Sequence, residues 1–149
     1  MPVSELERVL RQDVVRICPP SGRTVGSEGH RQAREYLAGR LHEIGLQPYR
    51  GSSFGMAYRD SEQKFFNLVG VVPCGKGARP PVLIGAHYDS VIEAPCADDN
   101  AAAVAIALAA AAQLAGKELK RDVLIALFDA EEPPYFLGES MGSTRFYKE

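Results

Sequence analysis

The chain has 149 residues, of which 46% are hydrophobic and 24% are charged, values that are ordinary for one globular domain with its own core. Its formal net charge of −2 provides no basic surface, so nucleic acid and anionic membranes are excluded as expected partners. The three cysteines, Cys18, Cys74 and Cys96, show no CxxC spacing and predict no disulfide framework.

The N-terminal sequence MPVSELERVLRQD is charged throughout and lacks the apolar core of a signal peptide, so a cytoplasmic location is expected. Residues 101–112 form an unbroken apolar run, AAAVAIALAAAA. This run is shorter than the roughly 18 residues that a membrane span requires. It predicts a helix of small residues packed against a sheet, and no membrane partner is expected.

The first half of the chain predicts two helices and two strands. The sequence SELE at residues 4–7 is a capping box that opens a helix over residues 4–17. Apolar residues at helical spacing predict a second helix over residues 27–44, on or near which His30 and His42 are assigned to the surface. Residues 47–53 and 64–72 predict two antiparallel strands, separated by a polar connection.

The stretch over residues 81–132 organises the rest of the chain. Two short apolar runs, between Val82 and Ala86 and over residues 123–128, have the continuous hydrophobicity of strands buried on both faces of a parallel sheet. A helix predicted over residues 100–115 makes the connection between them long enough for a βαβ crossover. The predicted fold class is therefore α/β. A loop follows, and residues 143–149 begin another helix.

Acidic and imidazole side chains follow both of these strands. His87 and Asp89 come after the first, and Glu131 and Glu132 come after the second. Sites in open α/β sheets lie outside the carboxyl ends of the strands. The sequence Asp-Asp-Asn at residues 98–100 adds oxygen ligands at the start of the crossover helix. An imidazole with several carboxylates is a zinc ligand set, and a carboxylate can bridge two adjacent metals.

Each of these patterns also has a structural interpretation. A His-x-Asp sequence is more often a surface pair, and an Asp-Asp-Asn sequence before a helix is usually an N-cap. Adjacent glutamates are usually solvated. The placement of all three patterns in one βαβ unit favours a metal site, because burying several carboxylates together without a cation is costly. The residues by themselves leave both interpretations open.

The ordered segments GAHYDS, CADDNAAA, FDAEE and MGSTRF resemble the M28 family of zinc-dependent aminopeptidases. Two earlier segments, RTVGSEGHRQAREYLAGRLHEIGLQ and FFNLVGVVPCGKG, also match, so the resemblance covers essentially the whole chain. It implies the zinc-dependent exopeptidase fold, a three-layer α/β/α sandwich with a mixed, mostly parallel sheet. Residues 1–149 would form the N-terminal portion of a single catalytic domain.

The resemblance also implies a role for each site residue. His87 would bind one metal, Asp99 would bridge two and Glu132 would bind the second. Glu131 would be the general base, and Asp89 would orient His87. The implied cofactor is two zinc ions, and the implied reaction is hydrolysis of N-terminal residues from peptide substrates.

Family members continue through further strands that supply one more aspartate and one more histidine to the metals. The resemblance therefore implies a domain truncated after Glu149, with zinc absent or weakly held and weak peptidase activity. Asp98, Asp99, Glu131 and Glu132 are still expected to cluster with His87. The loop PPYFLGESM also resembles glutaminyl cyclases of the same fold. Glutaminyl cyclisation and a non-catalytic binding module therefore remain as alternatives.

The family's sheet places the strand over residues 123–128 between those over residues 64–72 and 82–86. The edge strand between Val82 and Ala86 is then expected to lack an outer neighbour. An apolar, unpaired edge recruits another chain, so self-association through this edge is expected.

Overall fold

The computed structural model describes residues 3–75 and 79–149. The helices in these ranges are α1 (Val3–Ile17), α2 (Glu28–Ile44), α3 (Ala102–Leu114) and α4 (Gly142–Lys148). The strands are β1 (Gln47–Pro48), β2 (Gly55–Asp60), β3 (Gln63–Val72), β4 (Val82–His87) and β5 (Val123–Phe128). An irregular turn, Ala97–Ala101, leads into α3.

The strands form one mixed sheet in the order β1-β3-β5-β4, with β2 also paired to β3. β4 and β5 are parallel neighbours, and β5 lies between β3 and β4, so both predictions are confirmed. The other three pairings in the described residues are antiparallel. The mixed sheet is confirmed, but its mostly parallel character is wrong for this part of the fold. The short connection between β2 and β3 requires antiparallel pairing of these two strands.

The edge of the sheet beside β3 differs from the prediction in two ways. The strand predicted over residues 47–53 is limited to Gln47–Pro48. Tyr49 N still donates to Val69 O of β3 at 3.2 Å, and the chain then turns at Gly51, whose φ is 65°. The predicted polar connection contains β2, whose side chains are exposed or half-buried. Its pairing with β3 depends on backbone hydrogen bonds, so hydrophobic alternation was too weak to predict it.

The helices begin and end close to their predicted bounds. Ser27 caps α2 by accepting a hydrogen bond from His30 N, and Gly45 ends it with a φ of 86°. α3 begins two residues later than predicted, because Asp99 and Asn100 have non-helical backbone angles. The Asp-Asp-Asn sequence therefore lies on a turn before the helix. α4 matches the helix predicted near the end of the chain.

Helices cover both faces of the sheet, which confirms the three layers. On one face the core joins Leu37, Leu41 and Leu108 of the helices to Ile125 and Leu127 of β5. Side chains alternate along a strand, so Phe128 lies on the opposite face. There its ring contacts Phe146 of α4, with centroids 5.9 Å apart.

β4 pairs with β5 and with no other strand in the described ranges. Val82 and Leu83 on this strand are 42% and 44% exposed. The predicted open edge is therefore present, while self-association through it stays a prediction. No helix within residues 3–75 or 79–149 combines the length and hydrophobicity needed to cross a membrane.

Candidate metal centre

The predicted site residues meet where β4 and β5 end. His87 is the last residue of β4, and its Nε2 lies 3.0 Å from Asp99 Oδ1 and 3.5 Å from Glu131 Oε2. Ligand atoms of His87, Glu131 and Glu132 all lie within 4.8 Å of one another. The fold thus brings one imidazole and three carboxylates into a single cluster at the carboxyl ends of β4 and β5. In the sequence the carboxylates lie 12 to 45 residues after the imidazole.

Asp89 lies beneath this cluster and is fully buried. Its two carboxylate oxygens accept hydrogen bonds from the backbone N–H groups of Glu131, at 3.1 Å, and Glu132, at 3.0 Å. Asp89 Oδ1 also lies 3.3 Å from His87 Nδ1, a close contact whose geometry falls short of a well-formed hydrogen bond. Asp89 therefore contacts His87, as predicted, and also holds the backbone of both glutamates.

The carboxylates of the cluster shift the pKa values of one another and of the imidazole. Burial by itself would lower the pKa of His87, but Asp89, Glu131 and Asp99 outweigh burial and raise that pKa above its ordinary value. Burial, followed by the charge of Asp99, raises the pKa of Glu132. Burial would also raise the pKa of Asp89, yet the His87 contact and the two backbone N–H donors bring that pKa below its ordinary value.

The two aspartates of the turn before α3 have different surroundings. Asp99 reaches His87 although its side chain is 73% exposed. Asp98 is exposed and makes no hydrogen bond or ion pair within the described part of the chain. The expectation that Asp98 joins the cluster is therefore wrong. The backbone at Asp99 is not helical, so the side chains of Asp98 and Asp99 point in different directions. The spacing of residues in the sequence does not predict this difference.

His30 corrects a second expectation, since it is buried and not on the surface. Its Nε2 lies 2.8 Å from Asp129 Oδ1, and its ring stacks on Tyr88 with centroids 5.0 Å apart. The other oxygen of Asp129 accepts the backbone N–H of Phe66 at 2.7 Å. His30 lies in the first turn of α2, and its two partners directly follow β5 and β4. His42, on the same helix, is exposed as expected.

The residues of the cluster fit a zinc ion. They offer an imidazole nitrogen and carboxylate oxygens, which are zinc ligands in proteins. Asp89 lies against His87 Nδ1, an arrangement that favours a proton on Nδ1 and leaves Nε2 facing Asp99 and Glu131. Several carboxylates face that single nitrogen, so a cation at this position would balance their charge.

The model of peptidase family M28 matches residues 67–149, more than half of the chain, and this range contains β4, β5 and every residue of the cluster. The chain belongs to peptidase family M28. The M28 chain is similar in sequence to YfbL of Escherichia coli, to which it is 38% identical over 81 residues. The match covers 49% of the M28 chain and 25% of YfbL.

Solved structures share the fold of the M28 chain. A Tannerella forsythia glutaminyl cyclase is 27% identical, with a TM-score of 0.64, over 96% of the M28 chain and 52% of the cyclase. A Zn-dependent exopeptidase from Parabacteroides distasonis is 23% identical, with a TM-score of 0.61, over 87% of the M28 chain and 47% of the exopeptidase. The M28 chain thus spans about half the length of these structures. The predicted family and fold are confirmed.

Proposed function

We propose that residues 1–149 are the N-terminal portion of a zinc-dependent catalytic domain that hydrolyses N-terminal residues from peptides. The observation that carries this proposal is the cluster of His87, Asp99, Glu131 and Glu132 at the ends of β4 and β5. Membership of family M28 supports a peptidase-like or glutaminyl cyclase-like function, and aminopeptidase activity is the specific form proposed.

His87, Asp99 and Glu132 would hold the metal, with Asp99 shared between two zinc ions. Zinc bound there would polarise the scissile carbonyl and make water more acidic. The His87 ring is held between β4, which carries its backbone, and Asp89, which lies 3.3 Å from Nδ1. The ring therefore needs little reorganisation to present Nε2 as a ligand.

Glu131 would act as the general base. Its side chain is partly exposed, so a substrate and an attacking water can reach it. Its backbone N–H is fixed by Asp89 at 3.1 Å, which limits where the carboxylate can move. Glu131 would take the proton of the attacking water and then donate it to the amine that leaves as the peptide bond breaks.

The test compares wild type, Glu131→Gln and a matched control, Glu5→Gln, in zinc content and in hydrolysis of aminoacyl p-nitroanilides. Glu5 is an exposed glutamate in the first turn of α1. Glu131→Gln should lower the rate about 10²–10⁴-fold while zinc remains bound, because general-base catalysis is lost and the three proposed metal ligands are unchanged. Glu5→Gln should match wild type. Wild type that takes up no zinc when zinc is supplied in excess, or Glu131→Gln with the activity of wild type, would contradict the proposal. Weak zinc binding with weak activity agrees with it.

Glutaminyl cyclisation is the second candidate, favoured by 27% identity to the Tannerella forsythia glutaminyl cyclase over 96% of the chain. In that reaction the N-terminal amine of a glutamine peptide attacks its own side-chain amide, and ammonia leaves. Glu131 could carry a proton from the amine to the ammonia. Assaying the same preparation with a Gln-peptide and with aminoacyl anilides separates the two reactions, since only the first releases ammonia.

A further inference from the structure

Arg23 is a buried cation that the proposed chemistry does not use. It lies between α1 and α2, and its side chain is 0% exposed. No carboxylate of the described residues forms an ion pair with it. Burying a guanidinium without an anion is costly unless its N–H groups find acceptors, so the identity of those acceptors indicates its role.

The guanidinium donates to backbone carbonyls of two segments that carry site residues, and Nη1 also makes longer contacts with Ile17 O, at 3.5 Å, and Cys18 Sγ, at 3.6 Å, where α1 ends. Nε donates to Tyr88 O at 2.8 Å, in the segment that directly follows His87. Nη1 donates to Pro95 O at 2.6 Å, and Nη2 donates to Cys96 O at 3.0 Å. We call residues 90–101 the Asp99 loop. Arg23 therefore connects the end of β4 to the Asp99 loop through its planar fork.

The backbone around Arg23 holds the start of the same loop. Arg23 N donates to Ser90 Oγ at 2.7 Å, and Ser90 N donates to Arg23 O at 3.1 Å. Ser90 Oγ in turn donates to Ile92 O at 3.2 Å. Gly22 has a φ of +71°, and a Cβ there would collide with Ile92 O. Residues 22–23 thus contact the Asp99 loop at its start and again at Pro95 and Cys96.

This arrangement bears directly on the spacing of the metal ligands. His87 belongs to β4, whereas Asp99 lies on an irregular turn that no strand pairing holds. Asp99 comes three residues after Cys96, and its own side chain is mostly exposed. On the other side of Asp99 the turn is anchored by Ala101, which is buried in the core where α3 begins. The Arg23 contacts therefore restrain the position of Asp99 from the N-terminal side of the turn.

We propose that Arg23 is a positioning residue that sets the distance between His87 and Asp99 and so the zinc affinity of the site. This inference rests on the proposed function, because it requires that the site binds zinc. Lysine keeps the charge but offers one nitrogen, which cannot reach Tyr88 O, Pro95 O and Cys96 O together. Methionine keeps the bulk and loses every donor.

The experiment uses the full chain and measures zinc affinity by competition with a chromophoric chelator, and Co²⁺ binding by its visible absorption spectrum. Both are recorded where circular dichroism shows each protein folded. Arg23→Lys and Arg23→Met should each weaken zinc binding about tenfold or more and alter the Co²⁺ spectrum. Arg11→Lys and Arg11→Met, at an exposed arginine of α1, should match wild type.

Hydrogen exchange of the metal-free proteins gives a second readout. Amides of the Asp99 loop should exchange faster in the Arg23 variants, while those of β3 should be unchanged. If neither Arg23 variant folds, Ser90→Ala decides, and it should weaken zinc binding about fivefold because the hydroxyl's hydrogen bonds with Arg23 N and Ile92 O are lost. A wild type that binds no zinc even when zinc is supplied in excess overturns the proposed function, and this inference with it. If wild type binds zinc and the folded Arg23 variants, or Ser90→Ala, bind it with equal affinity, the proposed role of Arg23 is overturned while the proposed function stands.

Discussion

The carboxylate of Asp89 accepts the backbone N–H of Glu132 at 3.0 Å, across the boundary between two parallel strands. Asp89 follows β4 and Glu132 follows β5, so a single buried side chain connects the two segments that end at the site. The other oxygen of Asp89 accepts Glu131 N in the same way. Asp89 therefore sets the positions of the glutamates as well as that of His87.

Asp89→Asn should weaken zinc binding about 10–100-fold, because the amide group replaces one acceptor oxygen and leaves a backbone N–H facing an N–H₂ donor. The same change should lower the free energy of unfolding by about 1–3 kcal/mol, the usual cost of an unsatisfied buried donor. Chelator competition and denaturant unfolding measure the two effects. Equal zinc affinity in Asp89→Asn and wild type would show that the contacts of Asp89 do not support the site.

Asp98→Asn and Asp99→Asn form a matched pair at adjacent positions. Asp99 lies 3.0 Å from His87 Nε2, whereas Asp98 makes no hydrogen bond or ion pair within the described residues. Asp99→Asn should therefore weaken zinc affinity by at least about tenfold or reduce the number of zinc ions bound. Asp98→Asn should leave the affinity within about twofold of wild type and the number of ions unchanged. Isothermal titration with zinc measures both. A larger loss of zinc affinity with Asp98→Asn than with Asp99→Asn would mean that Asp98 is the ligand.

His30→Ala should destabilise the chain by about 3–5 kcal/mol, because it leaves the buried carboxylate of Asp129 without its imidazole partner. His42→Ala, at an exposed position of the same helix, should change stability by less than about 0.5 kcal/mol. Urea unfolding followed by circular dichroism compares them. Similar midpoints for the two variants would show that the His30–Asp129 pair contributes no net stability.

The open edge of β4 should cause self-association, since its strand groups are unpaired on one side in the described residues and Val82 and Leu83 are exposed. Leu83→Lys should lower the weight-average sedimentation coefficient at high concentration, because a charge on an edge strand opposes pairing. Val15→Lys, at an exposed apolar position of α1, is the control and should have no effect. Wild type that sediments as a monomer at every concentration would disprove this expectation.

Periodicity and capping signals predicted most of the elements. β5 is a continuous apolar run that is buried almost throughout, and such runs have few alternatives to a central strand. The run in β4 also forms a strand, but the predicted burial on both faces is wrong there, because Val82 and Leu83 are exposed at the open edge. Capping residues and glycine placed α2 within a residue of its observed ends. β2 was missed because an exposed edge strand is held by backbone pairing, which any residue can supply.

The candidate site divides in the same way. The sequence alone could place His87, Glu131 and Glu132 at one end of the sheet, because the carboxyl ends of neighbouring parallel strands lie together there. The burial of His30 and Arg23 was decided by tertiary packing, because a polar residue can be buried wherever the fold supplies partners from distant segments. Likewise, the choice between Asp98 and Asp99 depends on the backbone angles of a turn, which local sequence does not determine.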